Sequence, residues 1–201
     1  MPSPSKSVEA VVEVLNTAKH PAWPITNLPA ATFLRLHGGM SDEEIGLFFF
    51  IACSYKQLTL GENTEQTIDT FLAETQHNGL VMPGGLRFSE NGEAKVVPSC
   101  CSGLEDWREW LAVPHGRKYV WAGHDPTPEI EYTNFGVRIW QDSPAEGVSF
   151  IDFGLDELSA QMRQIEIDMY GLLWRIEAWA NYMAADLGAS LARCFAIHLK
   201  I

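Results

Sequence analysis

The residues whose types and spacing suit chemistry lie between positions 100 and 125. Two cysteines are adjacent, and a histidine further along is followed at once by an aspartate. Thiol, imidazole and carboxylate together form nucleophilic Cys-His-Asp sets, and cysteine with histidine also forms zinc sites. One hypothesis is therefore a metal- or thiol-dependent enzyme that uses Cys100, Cys101, His115, His124 and Asp125.

We favour a structural interpretation of the two cysteines. Adjacent cysteines are expected to point in different directions, and residues 98–103 are typical of a tight strand-to-helix turn with small buried thiols. A thiol facing the amino end of the following helix would have a lowered pKa. A reactive cysteine is therefore the alternative. We nevertheless expect no catalytic residue, no bound metal and no cofactor.

A proline-locked loop over residues 121–128 is a second candidate site. Trp121, His124 and Asp125 bring an aromatic ring, an imidazole and a carboxylate to this loop, which would suit the wall of a binding pocket. The alternative is that Asp125 forms an Asx turn before Pro126 while His124 bonds to backbone.

The charge balance limits the kinds of partner. Lys and Arg number 14 against 26 Asp and Glu, which gives a net charge of −12. Such a chain repels phosphate backbones and anionic lipids, so we expect neither nucleic acid nor membrane as a partner. Residues 41–75 and 129–157 each hold seven acids and one base. These two segments predict an acidic surface that binds a basic protein, and the alternative is that the charge serves only solubility. The candidate residues of the acidic surface are Asp42, Glu43, Glu62, Glu65, Asp69, Glu129 and Glu131.

Length and composition indicate one globular domain over residues 1–201, with 46% hydrophobic residues. The start of the chain lacks the apolar run of a secretory signal, and the most apolar window, residues 45–53, is too short to cross a bilayer. The four cysteines form no C-x-x-C pair, which suits a reducing compartment. We therefore expect a cytoplasmic protein.

Patterns along the chain predict an α+β fold with a short antiparallel meander. Ser41 and Glu44 form a capping box, and Asn91-Gly92 is a hairpin signal. A second capping box at Ser102 and Glu105 predicts an inserted helix. The first predicted N-terminal helix begins after Ser7 and ends before His20, and the next two cover residues 41–56 and 64–78. The predicted strands cover 80–82, 86–88, 94–97, 119–121, 130–132, 137–140 and 148–153.

A long helix over residues 155–183 is the clearest pattern. Apolar residues recur there at spacings of three and four, and Gly188 separates this helix from a last one. The stripe suits a helix packed on the sheet, and it also suits a coiled-coil seam for a homodimer. Its members are Leu155, Leu158, Met162, Ile165, Met169, Leu172, Ile176, Trp179 and Met183.

Three segments resemble a set of uncharacterised bacterial proteins: NGLVMPGGLRF (78–88), PSCCSGLEDWREW (98–110) and GHDPTP (123–128). The strand VSFIDF (148–153), running into the long helix, is similar in layout to immunity proteins that accompany polymorphic toxins. The resemblance implies a bacterial cytosolic binding protein that neutralises a toxin through its surface, and it carries over no individual residue. The leading hypothesis is thus a non-enzymatic, immunity-like protein with an acidic surface.

Overall fold

The computed structural model describes residues 5–15, 20–29, 32–117 and 119–201. Helices and antiparallel strands occur together, which confirms the predicted α+β class. In chain order the elements are β1 (Lys6–Glu13), β2 (Phe33–Arg35), α1 (Asp42–Tyr55), α2 (Thr64–Asn78), β3 (Gly84–Glu90), β4 (Glu93–Val96), a 3-10 helix (Leu104–His115), β5 (Glu129–Thr133), β6 (Gly136–Trp140), β7 (Phe150–Phe153), α3 (Leu155–Met183) and α4 (Gly188–His198).

The chain divides into two compact units. Unit 1 takes Met1–Val11 and Pro83–Glu166, and unit 2 takes Val12–Met82 and Ile167–Ile201. The boundaries therefore fall within β1 and α3 and just before β3. The single domain over residues 1–201 stays a prediction.

The strands form two sheets. One has the order β2-β1-β3-β4, and the other is an antiparallel meander in the order β5-β6-β7. Asn91 and Gly92 turn the β3–β4 hairpin with positive φ angles of 52° and 81°, as their types predict. In the meander Ile139 pairs with Ile130 on one side and with Ile151 on the other.

In unit 1 the first turns of α3 pack on the sheet, which confirms that prediction. The side chain of Gln161 accepts a hydrogen bond from the amide of Val8 at 3.1 Å and donates one to the carbonyl of Lys6. Beside this contact Phe88 packs against Trp110 and Phe153, with ring centroids 4.8 and 6.1 Å apart. Apolar burial and the amide contacts together fix α3 on β1.

The core of unit 2 is built around α1. Residues 45–53 of this helix are all buried, which explains why its sequence is apolar on every side. Phe49 contacts Trp23, Phe71 and Trp179 with ring centroids 5.2 to 5.6 Å apart. The predicted capping box is present: Glu44 N–H donates to Ser41 Oγ, and Ser41 N–H donates to the Glu44 carboxylate.

Several predicted elements are wrong. The helix predicted after Ser7 is wrong: residues 8–13 belong to strand β1, because the β-branched valines fit a pleated, buried surface and their spacing suits either structure. Residues 16–19 of that prediction lie outside the described residues. Residues 80–82 and 119–121 are not strands. The second capping box does not form, since Gly103 occupies the N-cap and makes no side-chain cap.

The apolar seam of α3 faces the interior of the chain. Its members from Leu158 to Trp179 are at most 3% exposed. A coiled-coil partner therefore cannot use this face while the chain is folded. No helix in the described ranges combines the length and the apolar character that a membrane crossing requires.

A close contact between two glycines in unit 2 yields a stability test. A Cβ on Gly171 in α3 would lie 2.7 Å from the Cα of Gly38. We expect Gly171→Ala to lower the free energy of unfolding by about 1–3 kcal/mol. In an open helix the same change would raise it by about 1 kcal/mol. Urea titrations measure this change. The control is Gly154→Ala, whose Cβ would meet only Glu157 at 3.9 Å, and it should change the free energy of unfolding less. A Gly171→Ala variant more stable than the wild type would contradict the close contact.

Candidate functional site

The structure brings four of the five candidate catalytic residues together. One ligand atom each from Cys100, Cys101 and His124 lies within 4.8 Å of the other two. Nδ1 of His124 lies 2.9 Å from Oδ2 of Asp125. The fifth candidate, His115, is exposed at the end of the 3-10 helix and does not belong to this group. We call the four assembled residues the thiol–imidazole cluster.

A short backbone pairing brings the two halves of the cluster together. Cys100 and His124 form an isolated antiparallel bridge, in which the amide of His124 donates to the carbonyl of Cys100 at 2.9 Å. Gly123, with φ of +100°, permits this approach, since a Cβ there would lie 2.6 Å from the Cys100 carbonyl oxygen. This role of Gly123 was not predicted, although a glycine directly before His124 was the available signal.

The conformation of Cys101 determines where the two thiols point. Its φ of 63° is left-handed, and the amide of Ser102 donates to the carbonyl of Ser99 at 3.0 Å to close the turn. As a result the Sγ atoms of Cys100 and Cys101 are only 3.6 Å apart. Both cysteines are exposed. The predictions that the two thiols diverge and are buried are therefore wrong. Both predictions assumed a turn without a left-handed cysteine.

Trp121 joins the second candidate site to the first. Its Nε1 donates to the carbonyl of Cys101 at 3.1 Å, and its ring centroid lies 6.4 Å from that of His124. The alternative for this loop holds only in part: the amide of His124 does bond to backbone, but the ring of His124 contacts the Asp125 carboxylate. The two predicted sites are thus one site.

Gln141 holds the segment that leads into the two cysteines. Its side-chain oxygen accepts from the amide of Val97 at 2.7 Å, and its side-chain nitrogen donates to the carbonyl of Val97 and to Ser99 Oγ at 3.3 Å. The side-chain amide of Gln141 thereby bonds to both backbone groups of Val97, as a residue on a neighbouring strand would. This contact fixes the approach of residues 97–99 to the bridge.

Hydrogen bonds within the cluster favour its charged form. The contact with Cys100, and after it the contact with His124, lower the pKa of the Cys101 thiol. Hydrogen bonds to Asp125 and then to Cys101 raise the pKa of His124. Burial has the opposite effect at Cys53 and Cys194, whose pKa values it raises. Cys101 is therefore better suited than Cys53 or Cys194 to react as a thiolate.

The cluster also fits the ligand set of zinc. Zinc–sulfur bonds of about 2.3 Å in a tetrahedral site place two sulfur atoms about 3.8 Å apart, close to the observed separation. The carboxylate of Asp125 contacts the ring nitrogen of His124, as the outer carboxylates of histidine–zinc sites do. The donor types and their spacing therefore suit a zinc ion.

The candidate acidic residues belong to different units, and several have local contacts. Residues 41–75 lie in unit 2 and residues 129–157 in unit 1. Asp42 pairs with Arg175 at 2.7 Å, Glu129 accepts from Ser143, and Glu131 accepts from Trp140. The other four candidates, Glu43, Glu62, Glu65 and Asp69, have exposed side chains.

No protein-family model, curated protein or solved structure matches this chain. The resemblance to immunity proteins accordingly stays a prediction. We therefore base the functional proposal on the thiol–imidazole cluster and not on the resemblance, because the chemistry of the cluster follows from distances within this chain.

The hydrogen bonds of Cys101 predict how its reactivity depends on pH. His124→Ala removes a partner that stabilises the thiolate, so the pKa of Cys101 should rise and its alkylation at neutral pH should slow. Iodoacetamide labelling of the Cys101 peptide, followed by mass spectrometry between pH 5 and about 10, measures this midpoint. His115→Ala should leave the midpoint unchanged. Equal midpoints for the wild type and His124→Ala would contradict the pairing.

Proposed function

We propose that this protein binds a zinc ion through Cys100, Cys101 and His124. The observation that carries the proposal is the convergence of one sulfur or nitrogen atom from each residue within 4.8 Å, on a bridged backbone. The proposal takes the metal-dependent form of the enzyme hypothesis and departs from the expectation of no metal.

The donor atoms favour zinc over the hard cations. Two thiolates and one imidazole suit zinc and copper, whereas magnesium and calcium take oxygen ligands. The two sulfurs are already 3.6 Å apart, so the thiols need little rearrangement to share one ion. Binding also requires both thiols to lose their protons, and therefore weakens as the pH falls.

Asp125 and Trp121 contact the proposed ligand residues without being ligands themselves. The Asp125 carboxylate engages Nδ1 of His124 at 2.9 Å, which orients the ring and makes it a better donor. Trp121 holds the carbonyl of Cys101, the residue with the left-handed backbone. These contacts keep the three ligands in place before an ion arrives.

Three protein ligands leave a fourth position for water or substrate. Both cysteines are exposed, and the side chain of His124 is 44% exposed, so solvent reaches the site. Structural zinc sites close all four positions, whereas catalytic ones keep one open for a water molecule that the ion activates. An open site therefore supports a zinc-dependent enzyme over a zinc-stabilised fold.

The thiol-dependent alternative uses the same residues without metal. Cys101 has a left-handed backbone in a turn before a helix, as nucleophiles on sharp turns do. In such elbows the amide after the nucleophile binds the oxyanion, but here the amide of Ser102 donates to Ser99. This engaged amide is the reason to prefer metal binding.

Titration with zinc and with cobalt tests the proposal. Reduced protein should bind one equivalent of either ion, and the cobalt form should show thiolate charge-transfer absorption. Cys100→Ser, Cys101→Ser and His124→Ala should each remove or strongly weaken binding. Asp125→Asn should weaken it about 10–100-fold, because the carboxylate acts through His124.

Two controls match these variants. Cys194→Ser removes a thiol and His115→Ala removes an imidazole, both away from the cluster, so neither should change the affinity. Absence of binding by reduced wild-type protein would contradict the proposal. Rapid alkylation of Cys101 in that same protein would then favour the thiol-dependent alternative.

A second proposal concerns the exposed acids of unit 2. We propose that α2 presents an acidic face to a basic protein partner, as the immunity-like hypothesis requires. Glu65 and Asp69 lie one turn apart on this helix, and both are exposed. Acidic side chains on one helix face attract a basic surface and increase the association rate.

Charge reversal on α2 tests this second proposal. A deca-lysine peptide should bind at low salt and lose affinity as the salt concentration rises. Glu65→Lys should weaken binding about 3–5-fold, since single exposed pairs contribute little. Glu146→Lys makes the same charge change in the other acidic segment and serves as the control. Equal losses in both variants, measured by fluorescence anisotropy, would show attraction by net charge alone and contradict a specific face.

A further inference from the structure

A row of exposed apolar side chains follows the outer face of α3 in unit 2. Ile167, Tyr170, Trp174 and Tyr182 are 63%, 54%, 82% and 79% exposed. Ala178 is also exposed and lies one helical turn after Trp174. Spacings of three, four, four and four residues place these side chains along one side of the helix. We call these five residues the α3 ridge.

We propose that the α3 ridge binds the α3 ridge of a second copy of this chain. The proposal is independent of the metal site, since it uses only residues of unit 2. It also differs from the coiled-coil hypothesis, whose seam the chain buries within itself.

The apolar area of the ridge is close to what a stable dimer needs. Large aromatic side chains can bury about 150–250 Å² each, so three of them with one isoleucine offer on the order of 600 Å². A standard interface buries about 800 Å² on each partner, of which the rim is polar. The ridge could therefore supply the central part of such an interface.

The sequence of the ridge suits antiparallel pairing with itself. A two-fold axis near Trp174 would place Tyr170 of one copy opposite Ala178 of the other. A large side chain then meets a small one twice, and the two Trp174 rings meet at the centre. Aromatic residues at the centre of an interface commonly supply most of its affinity.

Charge also favours a second copy at this face. The chain has a net charge of −12, so two copies repel each other wherever their acidic residues meet. Between positions 167 and 182, Asp168 is buried and pairs with Arg35, and Arg175 pairs with Asp42. Only Glu177 among the charged residues of this segment is exposed. Two copies can therefore approach here with little repulsion.

The ridge is held in place before any partner arrives. Arg175, on the same helix, donates to the carbonyl of Met40 at 2.8 Å and pairs with the carboxylate of Asp42. Behind it, Leu172, Ile176 and Trp179 are at most 1% exposed. A rigid surface loses little conformational entropy on association, which increases the affinity that a given area provides.

Sedimentation velocity of the full chain tests the proposal. Protein concentrations between about 1 and 100 μM cover the dissociation constants of ordinary dimers. The wild type should shift from monomer to dimer in this range. Trp174→Glu should raise the dimer dissociation constant at least about 30-fold, since it removes the central side chain and places two charges together. Ala178→Arg, which fills the space opposite Tyr170, should have a similar effect and preserves the helix.

Phe135→Glu is the matched control. Phe135 is 93% exposed in the β5–β6 turn, outside the ridge, so its replacement should leave the dimer intact. Circular dichroism of every variant confirms that the helices remain. A wild type that stays monomeric at 100 μM would overturn the proposal, as would a dimer that survives both ridge variants. Monomeric protein that binds zwitterionic vesicles through Trp174 would overturn it in favour of a lipid surface.

Discussion

The candidate site depends on the backbone pairing of Cys100 with His124. This bridge joins the turn before the 3-10 helix to the loop before β5, and every cluster residue lies on it or next to it. Gly123 allows the close approach, and the left-handed Cys101 directs its thiol toward its neighbour. The distances among the sulfur and nitrogen atoms therefore follow from the backbone. A change that separated the two segments would remove the cluster while leaving each residue in place in the sequence.

The surrounding elements hold this pairing from both sides. Gln141, just after β6, bonds to Val97 and Ser99 before the cysteines. Tyr132, in β5, donates its hydroxyl proton toward the carbonyls of Val113 and Arg117, where the 3-10 helix ends. The β5-β6-β7 meander thus fixes both the entry to the cysteine turn and the exit from the helix that follows it. Its function in unit 1 is to position the site as well as to cover the core.

Local sequence signals predicted the elements whose causes are local. The capping box of Ser41 began α1, and the periodic apolar residues of α3 predicted a helix with the observed bounds. Strand β1 was missed because valines three and four apart fit a helix as well as a strand, and only burial on a sheet decides. The site was predicted by residue type but not by geometry. Nothing in the sequence indicates a left-handed Cys101. Gly123 is the one signal that His124 rather than His115 can approach the thiols, and it gives no distances.

The net charge of −12 supports more than one function, and local geometry separates them. An acidic chain attracts basic proteins, and it also raises the local concentration of metal cations. At the thiol–imidazole cluster two thiolates would balance the charge of one zinc ion, so binding there requires no further acidic residue. Asp42, Glu129 and Glu131 meanwhile contact arginine, serine and tryptophan of their own units. Composition alone therefore suggested a protein partner for charges that in part stabilise the fold, whereas the proposed metal site depends on the arrangement of three ligand atoms.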